Sequence, residues 1–296
     1  MKINPASQHT VKAGLLIDNE EPTANRQKLK ANCNMKRIAI QGEIGSFHDM
    51  AARQYFDGEQ IQLVCCATFE QVFENVKRDQ TVIAMLAIEN TIAGSLLHNY
   101  DLLRESGTTV VGEHKLHIQH CICCLPNDSW ETITEVHSHP VALMQCRGFL
   151  ANHPALKAVE AEDTAGAAAF IAEHACRGWA AICSADAARY YGLKVLEDSI
   201  EDNKHNFTRF LVESAPQKAD FLRSLVFSLP HEEGSLSKVL TILSFYSINM
   251  TKIQSLPIIG HEWEYMFYVD VTYDNLTRYR QSIDAITPLT KELTIL

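Results

Sequence analysis

From residue 37 onward the chain alternates short apolar runs with amphipathic stretches, punctuated by glycine and polar turns. Arg37 to Gln41 predicts a strand, and the turn G-E-I-G-S-F leads into a helix carrying Ala51, Ala52 and Tyr55. Thr68-x-x-Gln71 has the spacing of a capping box and opens the next helix. V-I-A-M-L-A-I, residues 82 to 88, is apolar throughout, as expected of a strand buried on both faces in a parallel sheet. It runs into E-N-T-I-A-G-S. A helix follows with Leu96, Leu97, Tyr100 and Leu103 on one face and Gly107 at its C-terminal end.

A second α/β unit is predicted from about residue 113 to about 189. His114 to Leu125 reads as strand, Glu135 to Ser138 as a second strand, and Pro140 to Ala151 as one helix. Asp163 caps an alanine-rich helix through Phe170 and Ile171. W-A-A-I-C-S predicts a strand and A-D-A-A-R-Y-Y-G a helix with a glycine stop. The chain then returns through L-K-V-L-E-D-S-I to N-F-T-R-F-L-V, residues 206 to 212. Two α/β lobes joined by a returning segment imply a cleft between them.

After S-A-P-Q-K-A-D, a predicted linker, the pattern changes. S-L-V-F-S-L is a strand, Gly234 to Tyr246 a helix and Ile248 to Leu256 a strand. W-E-Y-M-F-Y-V-D-V alternates with period two, placing Trp263, Tyr265, Phe267, Val269 and Val271 on one face. A helix through Tyr279, Ile283 and Ile286 and the strand L-T-I-L complete a βαββαβ, ferredoxin-like order over residues 221–296.

Composition narrows the classes. The formal charge of −10 argues against nucleic acid or an anionic membrane as main partner. The longest apolar run, Val82 to Ile88, is far short of the ~20 residues that span a bilayer. Residues 1–34 are polar and turn-rich, expected as a disordered extension without a secretory signal, and Met35 is a candidate start. Nine cysteines lack the paired spacing of a zinc site, and Cys65-Cys66 and Cys121-x-Cys123-Cys124 stand in strand-like text, where core packing is expected. An odd count fits a reducing, cytoplasmic setting.

Polar clusters fall where strands end and helices begin, the usual ligand position in open α/β sheets. They are Gly42 to Ser46, Glu89-Asn90-Thr91 with Gly94-Ser95, and Ser138-His139 with Gln145. Each has a plainer reading: Ser138 as a helix cap, Glu89 to Thr91 as loop, and G-x-x-G-S without the third glycine of a dinucleotide fingerprint. His114, His117 and His120 do not share a strand face, and His137-x-His139 has no third ligand, so no metal is expected. In N-F-T-R-F the buried arginine requires an anion.

Taken together, G-E-I-G-S-F, A-I-E-N-T-I-A-G-S with Tyr100-Asp101-Leu102-Leu103, V-V-G-E, S-H-P-V-A-L-M-Q-C and N-F-T-R-F resemble the prephenate dehydratases. The resemblance covers about residues 36 to 296. It implies a two-lobed, periplasmic-binding-protein-like catalytic part (35–213) followed by an ACT regulatory domain (221–296). It also implies loss of water and carbon dioxide from prephenate, giving phenylpyruvate on the route to phenylalanine, with no cofactor and no metal. On the matching positions, Thr208, Asn90 and Gln145 are the implied catalytic residues. Glu89, Thr91, Ser138, Asn206 and Arg209 are implied substrate contacts, with Arg209 either meeting a substrate carboxylate or paired with an acid of its own chain. The ACT resemblance implies a phenylalanine site at Gly234, Ser235, Leu236, Asn249 and Ser255, in a homodimer or homotetramer.

The chain departs from the family pattern in places. Ile92 and Ala93 stand where many members have serines, and Gln254-Ser255-Leu256-Pro257 replaces E-S-R-P, predicting altered phenylalanine affinity. Residues 1–34 are too few and too polar for a chorismate mutase, so prephenate is expected from another enzyme. Two other readings remain at this level: arogenate dehydratase, and a non-catalytic amino-acid sensor.

Overall fold

The computed structural model describes residues 35–215, 222–258 and 264–296. The expected extension at 1–34, most of the expected linker and Trp263 lie outside them. Residues 36–296 form one compact unit built on three sheets.

The first lobe begins with β1 (Lys36–Gln41), α1 (Phe47–Tyr55), β2 (Ile61–Cys66), α2 (Phe69–Arg78) and β3 (Val82–Asn90). Then come β4 (Gly94–Ser95), α3 (Leu97–Ser106) and β5 (Thr109–His117). β1 pairs in parallel with both β2 and β3. Thr68 Oγ1 accepts from Gln71 N–H at 3.4 Å, while the Gln71 side chain reaches Ala67 N–H, one residue beyond a reciprocal box. Gly107, at φ +70°, ends α3 in the left-handed region open to glycine. Tyr100 and Leu103 are buried as predicted. Leu97, at the first turn, is exposed instead.

The second lobe comprises β6 (Cys121–Cys124), β7 (Glu135–Ser138), α4 (Pro140–Gln145), α5 (Arg147–Asn152) and β8 (Lys157–Glu160). It continues through α6 (Thr164–Glu173), β9 (Trp179–Cys183), α7 (Ala185–Tyr190) and β10 (Lys194–Glu197), with sheet order β10-β6-β9-β7-β8. Two expectations change here. The run His114 to Leu125 is two strands in different sheets, so the crossing between lobes lies at 118–120 rather than near 113. The expected helix from Pro140 to Ala151 is two, broken at Cys146 (φ −111°, ψ 24°), because the Asp202 carboxylate accepts from Gly148 N–H at 2.9 Å and caps the second one.

β11 (Phe207–Ser214) returns to the first lobe and inserts antiparallel between β3 and β5, giving the order β2-β1-β3-β11-β5. The lobes also touch behind the cleft. Ser184 Oγ donates to Gly45 O at 2.6 Å, and a Cβ on Gly45 (φ +84°) would lie 2.5 Å from Ala187 Cα.

The last unit is β12 (Leu222–Ser228), α8 (Ser235–Phe245), β13 (Asn249–Pro257), β14 (Tyr265–Thr272), α9 (Leu276–Ile286) and β15 (Glu292–Ile295). Its sheet order is β13-β14-β12-β15, antiparallel throughout. Phe267, Val269 and Val271 share a core with Val239 and Leu243 of α8 and Tyr279 of α9, as the alternation predicts. The opposite face is not free. Val226, Leu256, Tyr268 and Leu296 pack on Leu86, Ile88, Tyr100 and Leu103 of the first lobe.

Candidate active site

β3 ends and β11 begins at the same rung, which sets Asn90 opposite Thr208. Around this pair lies a cavity of about 480 Å³ lined from both lobes. α4 brings Gln145 to it, and the 118–120 crossing brings His120.

The hydrogen bonds fix the direction of every polar group in this cluster. Asn90 Oδ1 lies 2.9 Å from Ile92 N and 2.8 Å from Ala93 N. Backbone N–H groups can only donate, so that side of the amide is the oxygen. Asn90 Nδ2 therefore donates, its two hydrogens shared among Asn206 Oδ1 at 2.7 Å, Thr208 Oγ1 at 3.0 Å and Phe207 O at 3.2 Å. Asn206 must then donate through Nδ2 to Gln145 Oε1 at 2.9 Å, and Gln145 donates to Asn90 Oδ1 at 3.4 Å. With Gln145 Oε1 an acceptor, His120 Nε2, at 2.9 Å, is a donor. Two backbone amides thus set the His120 tautomer and leave the Thr208 hydroxyl hydrogen for a ligand.

His120 Nδ1 is then a bare lone pair, buried without a partner. Burial lowers the His120 pKa against the opposing hydrogen bond to Gln145, and lowers that of His48 to about 4. Both imidazoles are neutral at pH 7. His48 Nε2 accepts from Ala87 N–H at 3.3 Å and its ring meets Phe210 edge-on at 5.0 Å.

Lys and Arg are absent from the described residues lining the cavity. Three helix starts take their place: α1 at Ser46 to His48, α2 at Thr68 to Glu70, and α6 at Asp163 and Thr164. Each start is capped by its own side chain, Ser46, Thr68 or the Asp163 carboxylate, and Glu70, Glu162 and Asp163 bring carboxylates to the same wall, so α1 is the start among these three with no acid lining the cavity. Phe47, Phe69, Leu96, Ile118 and Phe210 give the same cavity an apolar wall.

Of the sequence-derived site residues, Thr208, Asn90 and Gln145 line the cavity, and Asn206 is fully buried behind them. Four others are placed elsewhere. Arg209 points away, with its anions from its own chain: Glu113 at 2.6 Å and Asp270 at 2.7 Å. Strand alternation is the reason, since Thr208 occupies the cavity face. Glu89, one residue before Asn90, likewise faces outward and pairs with Lys252 at 2.5 Å. Thr91 Oγ1 holds the turn by donating to His205 O and accepting from Phe207 N–H, both at 2.9 Å. Ser138 is buried and donates to Ile182 O at 2.6 Å. The cap of α4 is His139 instead.

In the C-terminal unit Gly234 precedes α8 at φ +77°, Ser235 and Leu236 open that helix, and Ser255 is exposed on β13. Asn249 Nδ2 donates to Thr272 Oγ1 at 3.3 Å and lines a cavity of about 380 Å³ between α8 and β13. In the sequence His120 stands out only as one of three closely spaced histidines, and His48 carries no signal. The histidines at 114, 117 and 120 have separate partners: Gln54, Lys204 O and Gln145. Cys121, Cys123 and Cys183 bring their sulfurs within 4.8 Å of one another, buried in the second-lobe core among Ala165, Ala168 and Ile171 rather than at the cavity.

A family model described as prephenate dehydratase matches residues 38–218. The chain belongs to the prephenate dehydratase family. Arogenate dehydratase/prephenate dehydratase 6, chloroplastic, of Arabidopsis thaliana is 40% identical over 256 residues, covering 79% of this chain and 61% of that protein. The chain spans about three fifths of the length of the curated relatives it matches. A solved prephenate dehydratase from Arthrobacter aurescens in complex with L-Phe shares the fold, with TM-score 0.77, 24% identity and 88% of each chain covered. The structure described as GqqA, a novel type of quorum quenching acylase, has TM-score 0.77 at 32% identity, covering 88% of this chain and 96% of that one.

Proposed function

We propose that the cavity binds prephenate and that the chain converts it to phenylpyruvate by decarboxylative dehydration. The observation that carries this reading is the Thr208 hydroxyl, which accepts from Asn90 and so keeps its hydrogen for a leaving oxygen. The C–carboxylate bond breaks, carbon dioxide departs, and the released electron pair completes the aromatic ring as the C4 hydroxide is expelled. Negative charge grows on that oxygen, where a positioned donor stabilises the transition state more than the ground state. Such a donor contributes roughly 10²- to 10³-fold. The start of α1 at Ser46 to His48 suits a substrate carboxylate, and the phenylalanine rings suit its six-membered ring.

An acylase chemistry is less well supported. A nucleophilic hydroxyl requires a base within hydrogen-bond reach, whereas the amide bonded to Thr208 Oγ1 is itself a donor. A second reading, arogenate as substrate, is favoured by Glu70, Glu162 and Asp163 on the cavity wall, which suit its ammonium group.

The βαββαβ unit is read as an ACT regulatory domain that lowers activity on binding phenylalanine near Gly234 to Leu236, Asn249 and Ser255. The assembly is read as a cytoplasmic homodimer or homotetramer. No described helix is long and apolar enough to cross a membrane.

The test is turnover of the purified chain on prephenate and on arogenate, with Thr208→Ala beside it. Turnover of prephenate that falls by orders of magnitude in a folded Thr208→Ala supports the reading. Turnover of arogenate alone selects the second, and turnover of neither overturns both. Unchanged activity at millimolar phenylalanine removes the regulatory part.

A further inference from the structure

The rung Thr208–Asn90 faces the cavity, and the next rung, Arg209–Glu89, faces the opposite way. Immediately after it the ladder between β11 and β3 is broken by a bulge between Arg209 and Phe210. On the β3 side the catalytic rung thus sits on a two-rung segment, while on the other side β11 pairs without interruption with β5 from Phe207 to Val212.

The C-terminal unit grips the outward side of this segment. Arg209 Nη1 donates to Asp270 Oδ2 at 2.7 Å, and the other carboxylate oxygen accepts from Ser224 Oγ at 2.6 Å, so Asp270 is fixed at both ends. Lys252 Nζ meets Glu89 at 2.5 Å and also bonds the Tyr100 hydroxyl. The Arg209 and Asp270 side chains are 20% and 8% exposed, so this pair is screened less than a surface pair, whereas Glu89, the partner of Lys252, is 39% exposed.

We propose that Asp270 and Lys252 are positioning residues: the C-terminal unit sets the alignment of Thr208 and Asn90 through ion pairs to their strand neighbours Arg209 and Glu89. This rests on the reading of Thr208 as the donor to the leaving oxygen. Because the pairs act on alignment and not on the cavity wall, they govern kcat and leave KM alone. A misplacement on the order of 1 Å at a reacting group can cost about 10²-fold, so a small slip of the segment suffices.

The test is a kinetic cycle on the full chain with prephenate. Asp270→Asn lowers kcat by about tenfold with KM within about twofold, and Asp270→Glu restores most of the loss. In a Thr208→Ala background Asp270→Asn lowers the residual kcat by less than about twofold, since the group being aligned is gone. Lys252→Gln gives the same pattern and serves where Asp270→Asn does not fold. Unchanged kcat in a folded Asp270→Asn, or an equal fold-loss in both backgrounds, overturns the positioning role. Full turnover in Thr208→Ala alone would instead remove Thr208 from the chemistry, and the proposed target of the positioning with it.

Discussion

Asn90 donates through Nδ2 to Thr208 Oγ1 at 3.0 Å, and its own oxygen is pinned by the N–H groups of Ile92 and Ala93. The hydroxyl can therefore donate outward. Asn90→Asp reverses this, because a carboxylate is acceptor-only and draws the Thr208 hydrogen into itself. We expect kcat to fall about 10²-fold or more although the threonine is still present. Steady-state kinetics with a circular-dichroism check of folding measures it. A kcat within about threefold of the parent would contradict the directed network.

The same logic reaches His120. Burial keeps its pKa below the ordinary value, and the neutral Gln145 side chain adds only a hydrogen bond. Gln145→Glu places a carboxylate beside the ring, favours the imidazolium and raises the pKa. The parent is expected to show kcat flat from about pH 6.5 to about pH 8, and the variant to lose activity as pH falls across that window. A proton NMR titration of His120 in both proteins reads the shift directly.

Gly45 joins the lobes at a place where no side chain fits. Its φ of +84° and the 2.5 Å approach to Ala187 Cα combine two penalties, whereas Gly58, at φ +80°, has nothing within 4 Å of a built Cβ. Gly58→Ala should cost about 1–2 kcal/mol from backbone strain alone. Gly45→Ala should cost more and raise KM, since it pushes the lobes apart. Thermal unfolding and substrate saturation of the two variants separate the contributions.

Glu213 is fully buried on β11, and burial raises its pKa from 4.5 to about 8 despite the hydrogen bond from Thr108. The folded protein keeps a proton that the unfolded chain releases. The stabilisation is therefore complete below pH 4.5 and is lost as pH rises through about 8. Glu213→Gln mimics the protonated form, so its Tm should decline less than the parent's from about pH 6 to about pH 9. Equal declines would place the titration elsewhere.

The cavity positions of Asn90 and Gln145 were legible because they stand where strands end and helices begin, whereas Thr208 and Asn206 were marked only by the family resemblance. Asn90 and Asn206 flank apolar runs, and Gln145 ends a proline-started helix. What could not be read depends on residues far away in sequence. Of the two readings of Arg209, pairing with an acid of its own chain is the one the structure bears out, and Glu89, expected at the substrate, meets Lys252 instead; the Asp270 and Lys252 pairings exist only once the C-terminal sheet docks on the first lobe. The break at 118–120 carries neither glycine nor proline, so His114 to Leu125 reads as one strand. The interruption at Cys146 requires Asp202, more than 50 residues later. His120 acquires meaning only from Gln145, whose amide orientation is itself inherited from Asn90.

One oriented hydroxyl hydrogen at residue 208 is proposed to carry the dehydration. The most direct measurement is kcat on prephenate for Thr208→Ser and Thr208→Val, side by side. Serine keeps the hydroxyl and valine keeps the shape. Thr208→Ser is expected to stay within about tenfold of the parent while Thr208→Val falls by roughly 10²- to 10³-fold, both with KM little changed. Equal kcat in the two variants would contradict it.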